Sequence, residues 1–439
     1  MKRNLYNELL AWKNSPDRKP LLLQGARQTG KTWLMKEFGK NEYNRVIYLN
    51  FEKKPGLSSY FEKDLSPIQI IKGLEYHFDT VINQGDTLII MDEIQESPRA
   101  LNSLKYFYED APQYHIITAG SFLGVAMYGS FPVGKVDRLT LYPLSFYEFL
   151  DGIGKERYVQ AIKNLDLSLI RAISGDYEKL LKTYFLTGGM PKAVAAFAER
   201  ENFKEVRTIQ NGILADYTDD FSKHIFPLNT AKVKMIWNSL PRHLSKEKKK
   251  FVYKELTDGA RAYSYEDAMN WLFDTRLVYK VPRTETDKLP LSSYADERIF
   301  KLFMLDVGLF CAKSELDIAA LFEPNDDLYG IFNGAITEQY VMQELRTAGY
   351  SPYYWGRDKG EAEVDFVVQW RNEIVPIEVK AGIRKKSKSL DVYRQICNPK
   401  YAVRTTFNNF GTADTLHSIP LYMIASFGEI LSMSSKDSA

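Results

Sequence analysis

The run LLLQGARQTGKT, Leu21 to Thr32, limits this chain's fold more than any other segment. Three leucines in a row suit a short strand buried on both faces, as in a parallel sheet. The run breaks at Gly25 and resumes as the helical stretch TWLMKEFG, which is the strand, loop, helix order of a phosphate-binding loop. Gly25 and Gly30 permit tight turning, so the N–H groups of Gly25, Ala26, Arg27, Gln28, Thr29 and Gly30 point inward at the positive end of the next helix. Lys31 adds a charge for the β- and γ-phosphates of ATP, and Thr32 a hydroxyl for Mg2+. An accidental glycine-lysine turn would present the same eight residues, so a second, independent element has to agree.

Leu88 to Met91 supply it, as a second buried-strand run that delivers Asp92 and Glu93 at its carboxyl end, the edge at which open α/β sheets bind ligands. Neighbouring strand residues point to opposite faces, so only one acid faces the metal held by Thr32. Asp92 is the metal-side acid. Glu93 is left to orient and deprotonate an attacking water, which implies hydrolysis rather than binding alone. A third strand, His115 to Gly120, ends at Ser121, which either touches the γ-phosphate or its water, or caps the helix that follows.

With 439 residues, 45% of them apolar, the chain has enough material for two or three cores. No run approaches the roughly 20 apolar residues of a membrane span, and MKRNLYNELLAWKNS lacks the apolar centre of a secretory signal, so a soluble cytoplasmic protein is expected. Cys311 and Cys397 are too few for a disulfide framework or a thiolate zinc site, and the five histidines show no ligand spacing. The net charge of +2 conceals two basic runs, Lys246 to Lys250 and Arg384 to Lys388, which read as solvated faces or as contacts to nucleic-acid phosphates.

Residues 1–150 read as the nucleotide-binding domain, and 151–228 as a helical lid in which Pro191 follows Gly188-Gly189 at a first helical position. Residues 229–315 read as a winged-helix-like domain: Asn229 to Leu244 and Ser264 to Val278 have helical periodicity, and VYKVPRTE and RIFKLFML suit the strands of a wing. Arg242, His243, Lys246 and Lys248 to Lys250 either neutralise duplex phosphates or form a solvated loop. Trp271, Leu272 and Phe273 suit a core better than a base stack.

In residues 316–439, Tyr353 to Trp355, Glu363 to Trp370 and Glu373 to Lys380 are strand-like runs joined by turns, an antiparallel meander. Glu378 lies thirteen residues after Asp365, and Lys380 two after Glu378. Residues two apart share a strand face, so Glu378 and Lys380 point together and meet Asp365 across the pair, with Glu363 in reserve on that face. The trio is either a divalent metal site, with Mg2+ activating water against a phosphodiester and Lys380 stabilising charge, or a salt bridge at a sheet edge.

GARQTGKT, LIIMDEIQ, the strand ending AGS, LYPLSFYEF, GGMPKAV and FKLFMLDVGL together resemble bacterial and archaeal AAA-superfamily ATPases that carry a C-terminal domain of unknown function related to PD-(D/E)xK nucleases. The resemblance extends over nearly the whole chain. It implies an α/β multidomain architecture: a P-loop NTPase parallel sheet, a helical lid, a winged-helix-like middle domain and a small α/β PD-(D/E)xK-like domain. It also implies a D…ExK site at Asp365, Glu378 and Lys380. Glu338, in GAITEQYVMQEL, resembles the helix glutamate that completes the metal site in resolvase-like nucleases, or is an ordinary surface acid. Where that family often has Gly-Arg before PLSF, this chain has Gly134-Lys135, with Arg138 three residues on as the arginine to test for a transition-state role.

Two functions follow as expectations. One is an ATPase whose nucleotide state controls a Mg2+-dependent nuclease acting on DNA. The other is a nucleotide-driven switch or scaffold that binds a partner protein, with the C-terminal acids inactive; either form admits a homo-oligomer.

Overall fold

The protein is described by a computed structural model that covers residues 1–120, 132–224, 227–247, 249–321, 326–357, 362–382 and 388–436. Two compact units divide it: Met1–Tyr142 with Asn270–Leu277, and Pro143–Met269 with Val278–Ala439.

The N-terminal unit is built on β1 (Leu21–Gln24), β2 (Arg45–Asn50), β3 (Thr87–Asp92), β4 (His115–Ala119) and β5 (Asp137–Thr140). All neighbours run parallel in the order β2-β3-β4-β1-β5. The unbroken apolar runs have the physical cause inferred from them, because both faces of this sheet are covered. Leu21, Leu23, Leu88, Ile90 and Ile117 pack against Leu9 and Trp12 of the helix Leu5–Lys13 and Leu34 and Phe38 of the helix Lys31–Glu42. Leu22, Ile89, Met91 and Ile116 face the other way, onto Ile70 and Leu74 of the helix Pro67–Phe78 and Leu101 and Leu104 of Pro98–Asp110. Each fully buried leucine contributes roughly 2 kcal/mol. The strand order places β4 between β1 and β3, so the Gly25 loop and Asp92 open on one carboxyl edge, two strand spacings or roughly 10 Å apart. The helix that begins at Lys31 carries Thr32 into that gap. Ser121 lies outside the described residues.

In the second unit the helices Phe146–Gly152, Glu156–Lys163, Leu167–Ala172, Ser174–Thr187, Pro191–Arg200 and Phe203–His224 occupy the stretch read as a lid. Pro191 sits in the first turn of its helix. The helix Pro227–Leu244 and the start of Glu266–Asp274, whose residues from Asn270 on belong to the N-terminal unit, follow, then the antiparallel pair β6 (Val278–Thr284) and β7 (Ala295–Met304). These wing-like strands do not stand alone. Arg283 and Thr284 of β6 pair in parallel with Tyr354 and Trp355 of β8 (Tyr353–Gly356), which covers an edge that an isolated hairpin would expose. β9 (Glu363–Trp370), β10 (Glu373–Val379), β11 (Ala402–Thr406), β12 (Gly411–Ala413) and β13 (Leu416–Pro420) complete one eight-stranded mixed sheet, ordered β12-β13-β11-β10-β9-β8-β6-β7. The boundary expected at residue 315 therefore does not separate two sheets. Among the described residues no helix is long and apolar enough to cross a membrane.

The motifs PLSF, GGMP and LDVGL meet at one place in this unit. Leu144 N–H donates to Gly189 O at 2.7 Å, and Gly189 N–H donates to the Asp306 carboxylate at 2.6 Å. On the helix Asp326–Thr347, the Gln343 carbonyl accepts from Val307 N–H and its amide donates to Tyr184 Oη, while Glu344 accepts from Phe146 N–H at 2.9 Å. Burial pushes the Glu344 carboxyl up to about 8, so folding favours its protonated form. That contribution is complete below the ordinary carboxyl range near 4.5 and disappears as pH rises through 8. Glu344→Gln keeps an acceptor for Phe146 and should flatten the fall in thermal midpoint between pH 5 and 8; an unchanged slope would place the titrating group elsewhere.

Candidate active site

The loop after β1 has the backbone its glycines were expected to allow. Gly25 has φ 149°, where a Cβ would stand 2.4 Å from Leu141 O, and Gly30 has φ 96°. The Lys31 ammonium lies inside the loop and donates to the carbonyls of Gly25 at 2.7 Å and Ala26 at 2.8 Å. Burial lowers its pKa to about 8, against the opposing pull of Glu93 and Asp92. Thr29 Oγ1 donates to Ala26 O at 2.9 Å, closing the loop from within, and Arg27 approaches Glu52 at 3.9 Å. Gln28 adopts φ 66°, as the turn demands.

Thr32 Oγ1 donates to Asp92 Oδ2 at 2.8 Å, so the hydroxyl and carboxylate expected to share a metal are adjacent across β4. A hydroxyl, a carboxylate and nucleotide phosphates are the hard oxygen donors that Mg2+ takes, and Mg2+ needs only one or two protein ligands beside phosphate and water. The residues fit it. Glu93 departs from the expected reason for its role: β3 ends at Asp92, and Glu93 turns away through a left-handed conformation, φ 51°, rather than by strand alternation. Gln95 Nε2 holds its Oε2 at 2.8 Å. Arg138 stands exposed on β5 opposite Leu22, two residues short of the Gln24–Thr140 pair that borders the loop.

Three participants were not anticipated. Tyr48 Oη donates to Asp92 Oδ2 at 2.8 Å, from a β2 residue whose phenol burial and this bond push up to about 12. Arg3 donates to Thr29 O at 3.0 Å and to Tyr142 O at 2.6 Å. Arg276 donates to the Gln24 side chain at 2.9 Å, just before Gly25. Only the tyrosine carries a local signal, an alternating residue at the end of an apolar strand. Tyr48→Phe removes one of three donors to Asp92, beside Thr32 Oγ1 and the Glu93 N–H; a charge-assisted bond of about 1.5 to 3 kcal/mol suggests a fall of about tenfold or more in phosphate release, with little change in binding of a fluorescent nucleotide.

The C-terminal acids also come together. Ile377 pairs with Phe366 between antiparallel β10 and β9, which brings Glu378 beside Asp365, and Asp365 Oδ2 accepts the Val379 N–H at 2.8 Å. Lys380 Nζ lies 2.6 Å from Glu378 Oε1. Glu338 is buried, 6% exposed, and shares a hydrogen bond with Asp365. Two lysines that no spacing revealed join them. Lys249 donates to Glu338 Oε1, and Lys301, fully buried on β7, lies 2.6 Å from Glu363 and 3.8 Å from Glu338 Oε2.

Burial, then Glu338 and Glu378, raise the Asp365 carboxyl well above its ordinary range, while Lys249 and Lys301 overcome the effect of burial on Glu338 and hold it low. Three ammoniums thus face four carboxyl groups. Among the described residues no three His, Cys, Asp or Glu side chains converge on a metal position. Glu338, Asp365 and Glu378, expected as metal ligands, are brought together with a lysine or backbone N–H already on each carboxylate.

The basic stretch read as contacts to duplex phosphates is only partly engaged within the chain: Arg242 and Lys250 are exposed, and Lys248 and residues 384–387 lie outside the described residues. Lys246 bonds Glu255, Arg242 donates to Glu255 O, and burial lowers His243 to about 4, so its 3.4 Å approach to Glu255 is not an ion pair at neutral pH. Cys311 and Cys397 are free thiols.

Residues 17–150 match the model of an AAA domain. Residues 178–319 and 333–424 match two domains of unknown function, DUF8612 and DUF4143. No curated protein matches the sequence. Among solved structures, a Walker-type ATPase of Pyrococcus abyssi is 13% identical with a TM-score of 0.46, over 71% of this chain and 95% of its own. The Aeropyrum pernix ORC1 protein in complex with DNA is 13% identical with a TM-score of 0.28, over 73% and 93%. AMPPCP-bound DnaA from Aquifex aeolicus is 14% identical with a TM-score of 0.28, over 62% and 86%. The AAA match spans every strand and loop that builds the phosphate site, and the N-terminal unit has an AAA-type P-loop ATPase fold.

Proposed function

We propose that the chain binds and hydrolyses MgATP and uses nucleotide state to switch a second unit that engages a partner protein. The observation that carries this is the Thr32–Asp92 hydrogen bond beside the buried Lys31, with Glu93 turned out of the strand at the same edge. Gly25 to Gly30 present the loop N–H groups and Lys31 its ammonium to the phosphates, while Glu93 holds and deprotonates the attacking water. Thr32 and Asp92 would hold Mg2+, which when bound neutralises charge on the β- and γ-phosphate oxygens. Tyr48 fixes the Asp92 carboxylate from the side. A homo-oligomer is part of the proposal, with exposed Arg138 as the arginine to test for a transition-state role in a neighbouring copy.

The alternative couples ATP to a Mg2+-dependent DNA nuclease in the second unit, with Asp365, Glu378 and Lys380 as its catalytic residues. Lysines on the carboxylates, and basic residues engaged in internal pairs, favour the partner-binding switch instead. Phosphate release from ATP by the purified chain is the test. Turnover unchanged by Lys31→Ala would refute the proposal, and cleavage of supercoiled, linear or branched DNA with Mg2+ or Mn2+, abolished by Glu378→Ala, would restore the nuclease.

A further inference from the structure

The carboxylate cluster is held from two sides by cations of the chain itself. Lys249 reaches it from the irregular segment after the helix Pro227–Leu244, and that segment is pinned to β7: Phe251 N–H donates to Phe300 O at 2.9 Å, and the two rings stack at 5.7 Å and 14°. The Lys249 ammonium runs along the helix that bears Glu338, near Gly334 one turn earlier, where a Cβ would come within 3.9 Å of it. Lys301, next to Phe300, approaches the other oxygen of Glu338 and lies 4.8 Å from the Tyr354 ring centre. One oxygen each of Glu338, Glu378 and Asp365 therefore already faces an N–H donor, and Lys301 stands 3.8 Å from the other oxygen of Glu338.

We propose that Lys249 and Lys301 are the resident cations of this cluster, and that Lys249 closes it to divalent ions by occupying the Glu338 carboxylate. Mg2+ and Mn2+ need close carboxylate oxygens, and an ammonium on the same oxygen both blocks the approach and repels the ion. Lys301 is fixed within a strand, whereas Lys249 sits on a segment with no regular structure. Lys249 is accordingly the gate. Its removal leaves Glu338, Asp365 and Glu378 with one fewer counter-ion and an opening at Glu338.

Counting bound Mn2+ by the electron paramagnetic resonance of the free ion tests this on the full nucleotide-free chain. Asp92→Asn silences the phosphate loop in every sample, so the result does not depend on whether the chain hydrolyses ATP. The parent is expected to hold no Mn2+ at the cluster. Lys249→Met, which keeps the aliphatic stem, should gain one Mn2+ per chain with at least about 100-fold tighter binding, and adding Glu378→Gln should abolish it. One Mn2+ on the parent that is lost with Glu378→Gln would overturn the proposal, and that measurement requires no change at Lys249. So would an absence of Mn2+ on both Lys249→Met and Lys249→Ala when their melting curves show them folded.

Discussion

Glu93→Gln is expected to bind ATP and release phosphate about 100- to 10,000-fold more slowly, the span typical of losing a general base. The amide keeps the size and the contact to Gln95 but cannot take a proton from water. Lys31→Met should fail earlier, at binding, because the loop loses the ammonium that bonds the Gly25 and Ala26 carbonyls lining it. The two variants separate further by pH. Burial holds Lys31 near 8 rather than 10.5, so keeping it charged costs the nucleotide-free protein on the order of 3 kcal/mol below pH 8. That cost fades as pH rises from 8 to 10.5. Lys31→Met should therefore raise the melting midpoint of the nucleotide-free protein at pH 7 while removing the rise that ATP confers. A lower midpoint without nucleotide would mean that the carbonyl bonds outweigh the burial of charge.

Gly189→Ala should prevent the second unit from folding. A Cβ at this position would lie 2.1 Å from Leu144 O and 2.7 Å from Leu144 N, backbone atoms that the Leu144–Gly189 hydrogen bond fixes in place. Gly188 is no more forgiving, with φ 69° and a Cβ position 2.2 Å from Asp306 Oδ1. No rotamer relieves a clash with backbone, so the expected loss exceeds about 4 kcal/mol. Gly212→Ala is the control: its Cβ meets nothing within 4 Å inside the helix Phe203–His224, where alanine should add up to about 1 kcal/mol. Urea unfolding followed by far-ultraviolet circular dichroism reads both. A Gly189→Ala chain with the parent's midpoint would show that the three motifs are not held as tightly as their contacts indicate.

The phosphate loop and Asp92 were legible in the sequence because they depend on local rules: glycine at a turn, alternation in a strand, a helix start after a loop. The same holds for Asp365 beside Glu378, since two short strands and a tight turn fix which residues oppose one another. What escaped depends on partners far along the chain. Tyr48 meets Asp92 across 44 residues, Arg3 meets Thr29 across 26, and Lys249 meets Glu338 across 89. A lysine in a basic run looks the same in sequence whether water or a buried carboxylate receives it. Lys301 gave the only hint, as a lone charge in the apolar stretch FKLFML. Glu93 was assigned its role from strand alternation, although the strand ends one residue sooner; dihedral angles, not composition, carry that difference. The contacts of Gln343 and Glu344 were hidden because polar residues at helical spacing ordinarily mark a solvent-facing stripe.

The segment Asn270–Leu277 belongs to the N-terminal unit although 127 residues of the other unit, Pro143 to Met269, precede it in the chain. During synthesis the nucleotide-binding unit cannot be completed when residue 142 leaves the ribosome, and Arg276 reaches Gln24 only after most of the protein has been made. A fragment ending at Tyr142 would thus lack a brace next to Gly25, and the nucleotide-binding unit is completed only after the 127 residues from Pro143 to Met269 have been translated.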